Sequence, residues 1–278
     1  MSETPVPDIV VISLARATDR REAFREQFRE LGLPFRFFEA VDGQQGHPLF
    51  DHYDRRRSEA LGEIPLTPGH LGCYASHYNV WKECSESGTS RIVLEDDAQI
   101  DPEGFLAFIR LIPSLPEEVE CLRLFPSRSR NTDSIPLMSR EGLTVAKFLR
   151  GHKSTTAYYL TPRAAEKFLA HAETWCEPVD IEMDQFWWNK VECFGLLPAC
   201  VTNNPDFEST IDSGESTRNK RKGSRKVRWR LYMLWCRIHR TLHNMRFKLR
   251  HRTSVEIDAN TSLTNISGTH TNRKPNSD

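Results

Sequence analysis

Short apolar runs rich in β-branched residues alternate with helix-period segments from residue 8 to about 201. Few architectures accommodate that alternation. DIVVISL (8–14) reads as a buried strand. Asp19 to Leu31 then turns helical, with Phe24, Phe28 and Leu31 on one face, Thr18 as N-cap and Gly32 just past the end. FRFFEAVDG (35–43) is a second strand ending at an Asp-Gly turn, and 44–66 is an irregular loop with short helical pieces. Thr67-Pro68-Gly69 opens a helix running through Cys84, Pro68 suiting its first turn. RIVLEDD (91–97) is a third strand, followed by a helix near 102–112 and a strand at 120–125. Residues 126–150 begin Ser- and Arg-rich and end as two short strands. STTAYYL (154–160) is another strand, a helix starts at Pro162, an acidic helix runs from Pro178 to near Cys193, and LLPACV (196–201) closes the series.

The expected fold is an α/β domain whose mixed, mostly parallel sheet is covered on both faces. A chain of 278 residues is long enough for one such domain with extensions. We place the domain at 1–214, a basic helical extension at 215–252 and a polar, disordered tail at 253–278. The N-terminus, MSETPVPDIVVISL, carries an acid where a secretory leader has basic residues, and no apolar run reaches membrane-spanning length. Seven scattered cysteines without a C-x-x-C pair read as buried thiols in a reducing cytosol.

Equal totals of 38 basic and 38 acidic residues conceal a division. Residues 218–252 hold 14 of the Lys and Arg and no Asp or Glu, leaving 24 basic against 38 acidic residues elsewhere. Within that stretch Val227, Leu231, Leu234, Ile238, Leu242, Met245 and Leu249 recur at spacings of three or four, with Trp229, Trp235 and Phe247 beside them. A cationic amphipathic helix with tryptophans reads as an anchor on an anionic membrane surface. Packing onto the domain or a partner is the competing reading, and no nucleic-acid partner is expected.

Three constellations carry chemistry. Glu95, Asp96 and Asp97 end a predicted buried strand, where open α/β sheets place ligands. Clustered hard oxygens suit Mg²⁺ or Mn²⁺, and the bland alternative is an acidic strand exit paired with arginines. In LTPGHLGCYASHYNVWKE (66–83), Ser76 and His77 are adjacent and point different ways, so they are no nucleophile–base pair. In EPVDIEMDQFWWNK (177–190), Asp180 and Asp184 share a helix face ahead of Trp187 and Trp188, an arrangement fit for a sugar or for an ordinary exposed acidic helix.

The order of these blocks is more specific than any one of them. VVISLARATDRR (10–21), FFEAVDG (37–43), LTPGHLGCYASHYNVWK (66–82), RIVLEDD (91–97), TTAYYLTPRAAEKFL (155–169) and PVDIEMDQFWW (178–188) together resemble glycosyltransferase family 25. That family comprises lipooligosaccharide and lipopolysaccharide galactosyltransferases of Gram-negative bacteria and is related to animal collagen galactosyltransferases. The resemblance implies a GT-A type, Rossmann-like domain that binds a nucleotide-sugar. It implies inverting transfer, usually of galactose from UDP-galactose, with Mn²⁺ or Mg²⁺ held by Glu95, Asp96 and Asp97. Its P-x-D block falls on Pro178-Val179-Asp180. Asp180 and Asp184 are then the candidate bases, Arg16, Asp19 and Arg20 the donor-site residues, and Ser76 and His77 supporting residues. The acceptor would be a lipid-linked oligosaccharide, met by a cytoplasmic enzyme peripheral on the inner membrane. A metal-dependent phosphoesterase and a non-catalytic UDP-binding scaffold are the alternatives.

Overall fold

Ile9 and Val11 pack into one hydrophobic layer while Val10 and Ile12 pack into another, so the first strand is buried on both faces. The computed structural model describes residues 7–129, 133–205, 207 and 221–264. That strand, β1 (Asp8–Ser13), leads into α1 (Thr18–Leu31), β2 (Arg36–Glu39), α2 (Arg55–Ala60) and α3 (Pro68–Ser87). Next come β3 (Arg91–Glu95), β4 (Ala98–Ile100), α4 (Pro102–Leu111), β5 (Cys121–Arg123), β6 (Ser134–Arg140) and β7 (Leu143–Phe148). The chain continues through β8 (Ala157–Leu160), α5 (Pro162–His171), α6 (Val179–Met183), α7 (Phe186–Asn189), β9 (Phe194–Leu197), β10 (Val201–Asn203) and α8 (Gly223–Thr264).

Eight strands form one sheet in the order β2-β1-β3-β8-β5-β9-β7-β6. Six of them run one way and β8 and β7 run the other, which gives a mixed, mostly parallel sheet. Phe24 and Phe28 of α1 and Phe105 and Phe108 of α4 cover one face. Tyr74, Trp81 and Cys84 of α3 and Ala164 and Phe168 of α5 cover the other. The architecture is therefore α/β with two helical layers, as the alternation requires.

Differences from the sequence reading have local causes. The segment from Pro178 is two short helices, α6 and α7, rather than one. The chain leaves the helix at Asp184 and Gln185, where the Asp184 carboxylate accepts backbone N–H groups from His152 (3.1 Å) and Lys153 (2.8 Å). Phe186 then enters a third apolar cluster with Ala146 and Phe148. LLPACV divides between β9 and β10, joined through a cis Leu197-Pro198 bond, and β10 pairs with β4, which the sequence reading lacks. Ala17, not Thr18, is the N-cap of α1. The boundary near 214 lies outside the described residues. The helix α8 continues past 252 to Thr264. Among the described residues no helix is long and apolar enough to cross a membrane.

Candidate active site

Strand direction gathers the first part of the site. Because β1 and β3 are parallel, Ser13 and Glu95 emerge at the same edge of the sheet. Because β8 is antiparallel to β3, Thr155 just ahead of it returns to that edge, and Glu95 N–H donates to Thr156 O at 2.9 Å. The edge lines a cleft with Arg16, Arg20, Asp42, Cys73, His77 and the Glu95–Asp97 run.

The three acids differ in their partners. Glu95 accepts from the Thr155 hydroxyl and meets His77 Nε2 at 3.2 Å. Burial works against its charge, but the His77 and Thr155 contacts outweigh that and hold its pKa below the usual value. Asp96 accepts from Ser13 Oγ at 2.7 Å and pairs with Arg20 at 2.9 Å. Among the described residues, Asp97 Oδ1 is buried without a hydrogen-bond partner. Burial, and then the charges of Glu95 and Asp96, push the Asp97 pKa up to about 6. A buried carboxylate oxygen without a donor beside two further carboxylates is an arrangement that a divalent cation would satisfy.

The far wall is set by α3. Its first turn is closed by a reciprocal cap between Thr67 and His70. A Cβ at Gly72 would lie 2.6 Å from Val41 O and 2.7 Å from Gly43 N, so only glycine lets the helix approach the 41–43 loop this closely. Ser76 bridges the same two elements, donating to Gly72 O at 2.7 Å and accepting Val41 N–H at 2.9 Å. Next in the helix, His77 is buried between Tyr158 Oη (2.8 Å) and Glu95. Both side chains thus brace the cleft wall, and they are not paired with each other as a nucleophile and base. Cys73 Sγ, a His77 ring nitrogen and a Glu95 oxygen lie within 4.8 Å of one another. Burial foremost, then Glu95, Asp180 and Asp97, push the Cys73 thiol well up, which keeps it neutral.

The remaining candidates separate. Arg16 lines the cleft, bound to Asp42, whose pKa the guanidinium lowers. Arg20 lines it too, 5.3 Å from the Phe207 ring. Asp19 is exposed at the start of α1, takes a 3.3 Å bond from Thr18, and is not among the cleft-lining residues. Asp180 is half-buried, and burial and the nearby Glu95 charge raise its pKa against the pull of Arg123. Asp184 sits apart in its role: it is 6% exposed and holds the 152–153 backbone and Arg123. Burial takes its pKa to about 6. Ser13 joins the site from the end of β1, and Asp42 and Thr155 from loops, none of which sequence spacing connects to RIVLEDD. Asp42 had a signal, its Asp-Gly turn.

A family model described as glycosyltransferase family 25 (LPS biosynthesis protein) matches residues 6–183. A glycosyltransferase 25 family member of Anopheles gambiae is 35% identical over 100 residues, 34% of this chain and 17% of that protein. Procollagen galactosyltransferase 1 of Danio rerio is 32% identical over 127 residues, 42% and 20% of the two chains. Inactive glycosyltransferase 25 family member 3 of Homo sapiens is 30% identical over 185 residues, 59% and 28%. The chain therefore spans 17% to 28% of the length of these curated relatives. The crystal structure of a glycosyltransferase involved in glycosylation of the major capsid of PBCV-1 matches at 13% identity and a TM-score of 0.30, over 58% of this chain and 62% of that one.

Proposed function

Because the chain belongs to glycosyltransferase family 25, we propose that it transfers a hexose with inversion from a UDP-sugar, galactose from UDP-galactose, to a lipooligosaccharide or lipopolysaccharide core. The domain is read as GT-A type. One observation carries the reading: the unpartnered Asp97 oxygen, flanked by Glu95 and Asp96, in a cleft that Arg16 and Arg20 also line.

Glu95, Asp96 and Asp97 would hold Mn²⁺ or Mg²⁺, which when bound offsets the negative charge that grows on the departing diphosphate. Arg16 and Arg20 add positive charge at the same edge, where the donor phosphates would lie. His77, fixed by Tyr158, keeps the Glu95 carboxylate in one orientation. Inversion also needs a base on the acceptor side. Asp180 takes the proton of the acceptor hydroxyl onto its carboxylate, its raised pKa making it a better acceptor than an exposed aspartate. Asp184 positions the 152–153 loop instead. The acceptor is lipid-linked at the cytoplasmic face of an anionic inner membrane, and residues 218–252 bring the enzyme there.

The test is release of UDP. The protein is incubated with Mn²⁺ and a panel of nucleotide sugars, with and without lipooligosaccharide. UDP-galactose is expected to give acceptor-dependent release that Asp97→Ala abolishes. Binding of UDP with no release under any condition would favour a non-catalytic scaffold instead.

A further inference from the structure

The helix α8 has two apolar faces, and only one is used inside the molecule. On the inner face Tyr232, Cys236 and Phe247 are buried. Tyr232 Oη donates to Glu177 at 2.5 Å, His243 meets Glu192 at 2.5 Å, and Asn244 donates to Leu149 O at 2.9 Å. Trp235 lies 4.2 Å from the ring centre of Trp188. These contacts clamp the helix to the domain from Tyr232 to Phe247.

About a third of a turn round the helix, Leu231, Leu234, Ile238, Leu242 and Met245 are each 48% to 62% exposed, and Trp235 stands on the border between the two faces. With Val227 and Leu249 they make a stripe about 33 Å long at 1.5 Å per residue. An unbroken apolar stripe of that size marks an interaction surface. Its borders are cationic: Arg228, Arg230, Arg237, Arg246, Lys248 and Arg250 are all exposed on the flanks, and no Asp or Glu occurs from 218 to 252. A second copy laid against the stripe would set arginines against arginines. Nucleic acid would use the cations and leave the aliphatic side chains exposed. An anionic bilayer satisfies both, taking the apolar side chains below the headgroups and the cations among them.

A second feature fixes where a headgroup would sit. Beside the stripe, Arg150, Arg237, Arg240 and Lys248 line a cavity with Met245 and the single carboxylate Asp133. Burial and the repulsion of Arg150 and Arg237 lower the Arg240 pKa, so these cations are held closer than their charges favour. An anionic phosphate relieves that repulsion.

We propose that the outer face of α8 is a docking surface for an anionic phospholipid bilayer, and that the cavity under Arg237 and Arg240 receives a lipid phosphate. This rests on the transferase reading only for its purpose, since the surface itself is independent of catalysis. Because the inner face is clamped, the bilayer meets the domain in one fixed orientation rather than through a flexible tether.

The test uses the full chain and flotation with vesicles of phosphatidylglycerol and phosphatidylcholine, against phosphatidylcholine alone. The protein is expected to bind only the anionic vesicles. The triple variant Leu231→Ser, Leu234→Ser, Ile238→Ser is expected to lose binding. Arg237→Gln with Lys248→Gln should weaken binding about thirtyfold, the value for two cations at an anionic surface. All these side chains are exposed, so circular dichroism and UDP release with a water-soluble acceptor should stay as in the wild type. Undiminished flotation of both variants overturns the proposal. So does equal binding to neutral vesicles, or a solution dimer that the triple variant dissociates. Wild-type flotation without any UDP release leaves the docking surface standing and removes the transferase reading instead.

Discussion

An oxygen without a donor distinguishes Asp97 from Glu95 and Asp96, whose carboxylates already have hydroxyl, imidazole or guanidinium partners. On the proposed function, Asp97→Asn should weaken Mn²⁺ binding by at least the roughly 10- to 100-fold that loss of an outer-shell partner costs. Titration followed by the Mn²⁺ electron paramagnetic resonance signal measures this, and unchanged affinity removes Asp97 from the metal set. Asp180→Asn separates binding from chemistry. It should leave Mn²⁺ and UDP affinity intact while kcat falls by about 10²- to 10⁴-fold, the usual contribution of a general base; a fall in UDP affinity with kcat unchanged would reassign it to donor binding. The acidic triplet was legible in RIVLEDD because an apolar run cannot end on three charges without a partner. Ser13 and Thr155 were not legible, since their oxygens reach Asp96 and Glu95 only after β1, β3 and β8 are paired in register. Asp180 and Asp184 looked equivalent at i and i+4, and only the end of α6 gives them different neighbours.

At the scale of elements, the strands that carry the site were readable from their continuous apolar runs, and the helices from caps and periodicity. What escaped was breakage. LLPACV is apolar throughout, and nothing in its pattern says that Leu197 ends one strand in the large sheet while Val201 begins another against β4. EPVDIEMDQFWWNK has helical spacing throughout, yet Asp184 is recruited to the 152–153 backbone and Phe186 to Phe148, and these distant contacts outweigh helix continuity. The approach of α3 to the 41–43 loop is likewise a tertiary fact, visible in sequence only as the glycine in GHLGC. Gly72→Ala should therefore act on both stability and binding. Its methyl must displace Val41 O and the Gly43 backbone, an overpacking cost of about 1–3 kcal/mol. The loop that moves also carries Asp42, the partner of Arg16. Chemical denaturation should show the lost stability, and the donor KM should rise while acceptor KM is less affected. An unchanged donor KM would separate the loop from the donor site.

For the whole molecule, the charge division noted in the sequence becomes a contact between an acidic domain and a basic helix, and the contact contains a titratable centre. Glu177 is 3% exposed, accepts from Tyr232 of α8 and from Gln185, and lies near Glu63 and Asp180. Burial chiefly, with the charges of Glu63 and Asp180, takes its pKa from 4.5 to about 7 against the opposing bonds of Tyr232 and Gln185. Between those two values the folded protein keeps a proton that the unfolded chain releases, so stability must fall as pH rises through that window and level off above it. The difference corresponds to about 3 kcal/mol at most. Glu182, buried and raised to about 8, and Asp184, raised to about 6, slope the same way, whereas Glu192, held near 2 by His243 and Lys147, acts only below the window. Glu177→Gln makes the neutral form permanent and keeps an acceptor for Tyr232. Thermal melts at pH 5, 6, 7 and 8 should accordingly show a shallower decline for the variant than for the wild type, with the curves furthest apart above pH 7 and the variant the more stable there. Parallel curves would mean that Glu177 is already ionised in the folded state, and that the α8 contact is an ordinary charge-assisted one, held by Tyr232 donating to a carboxylate.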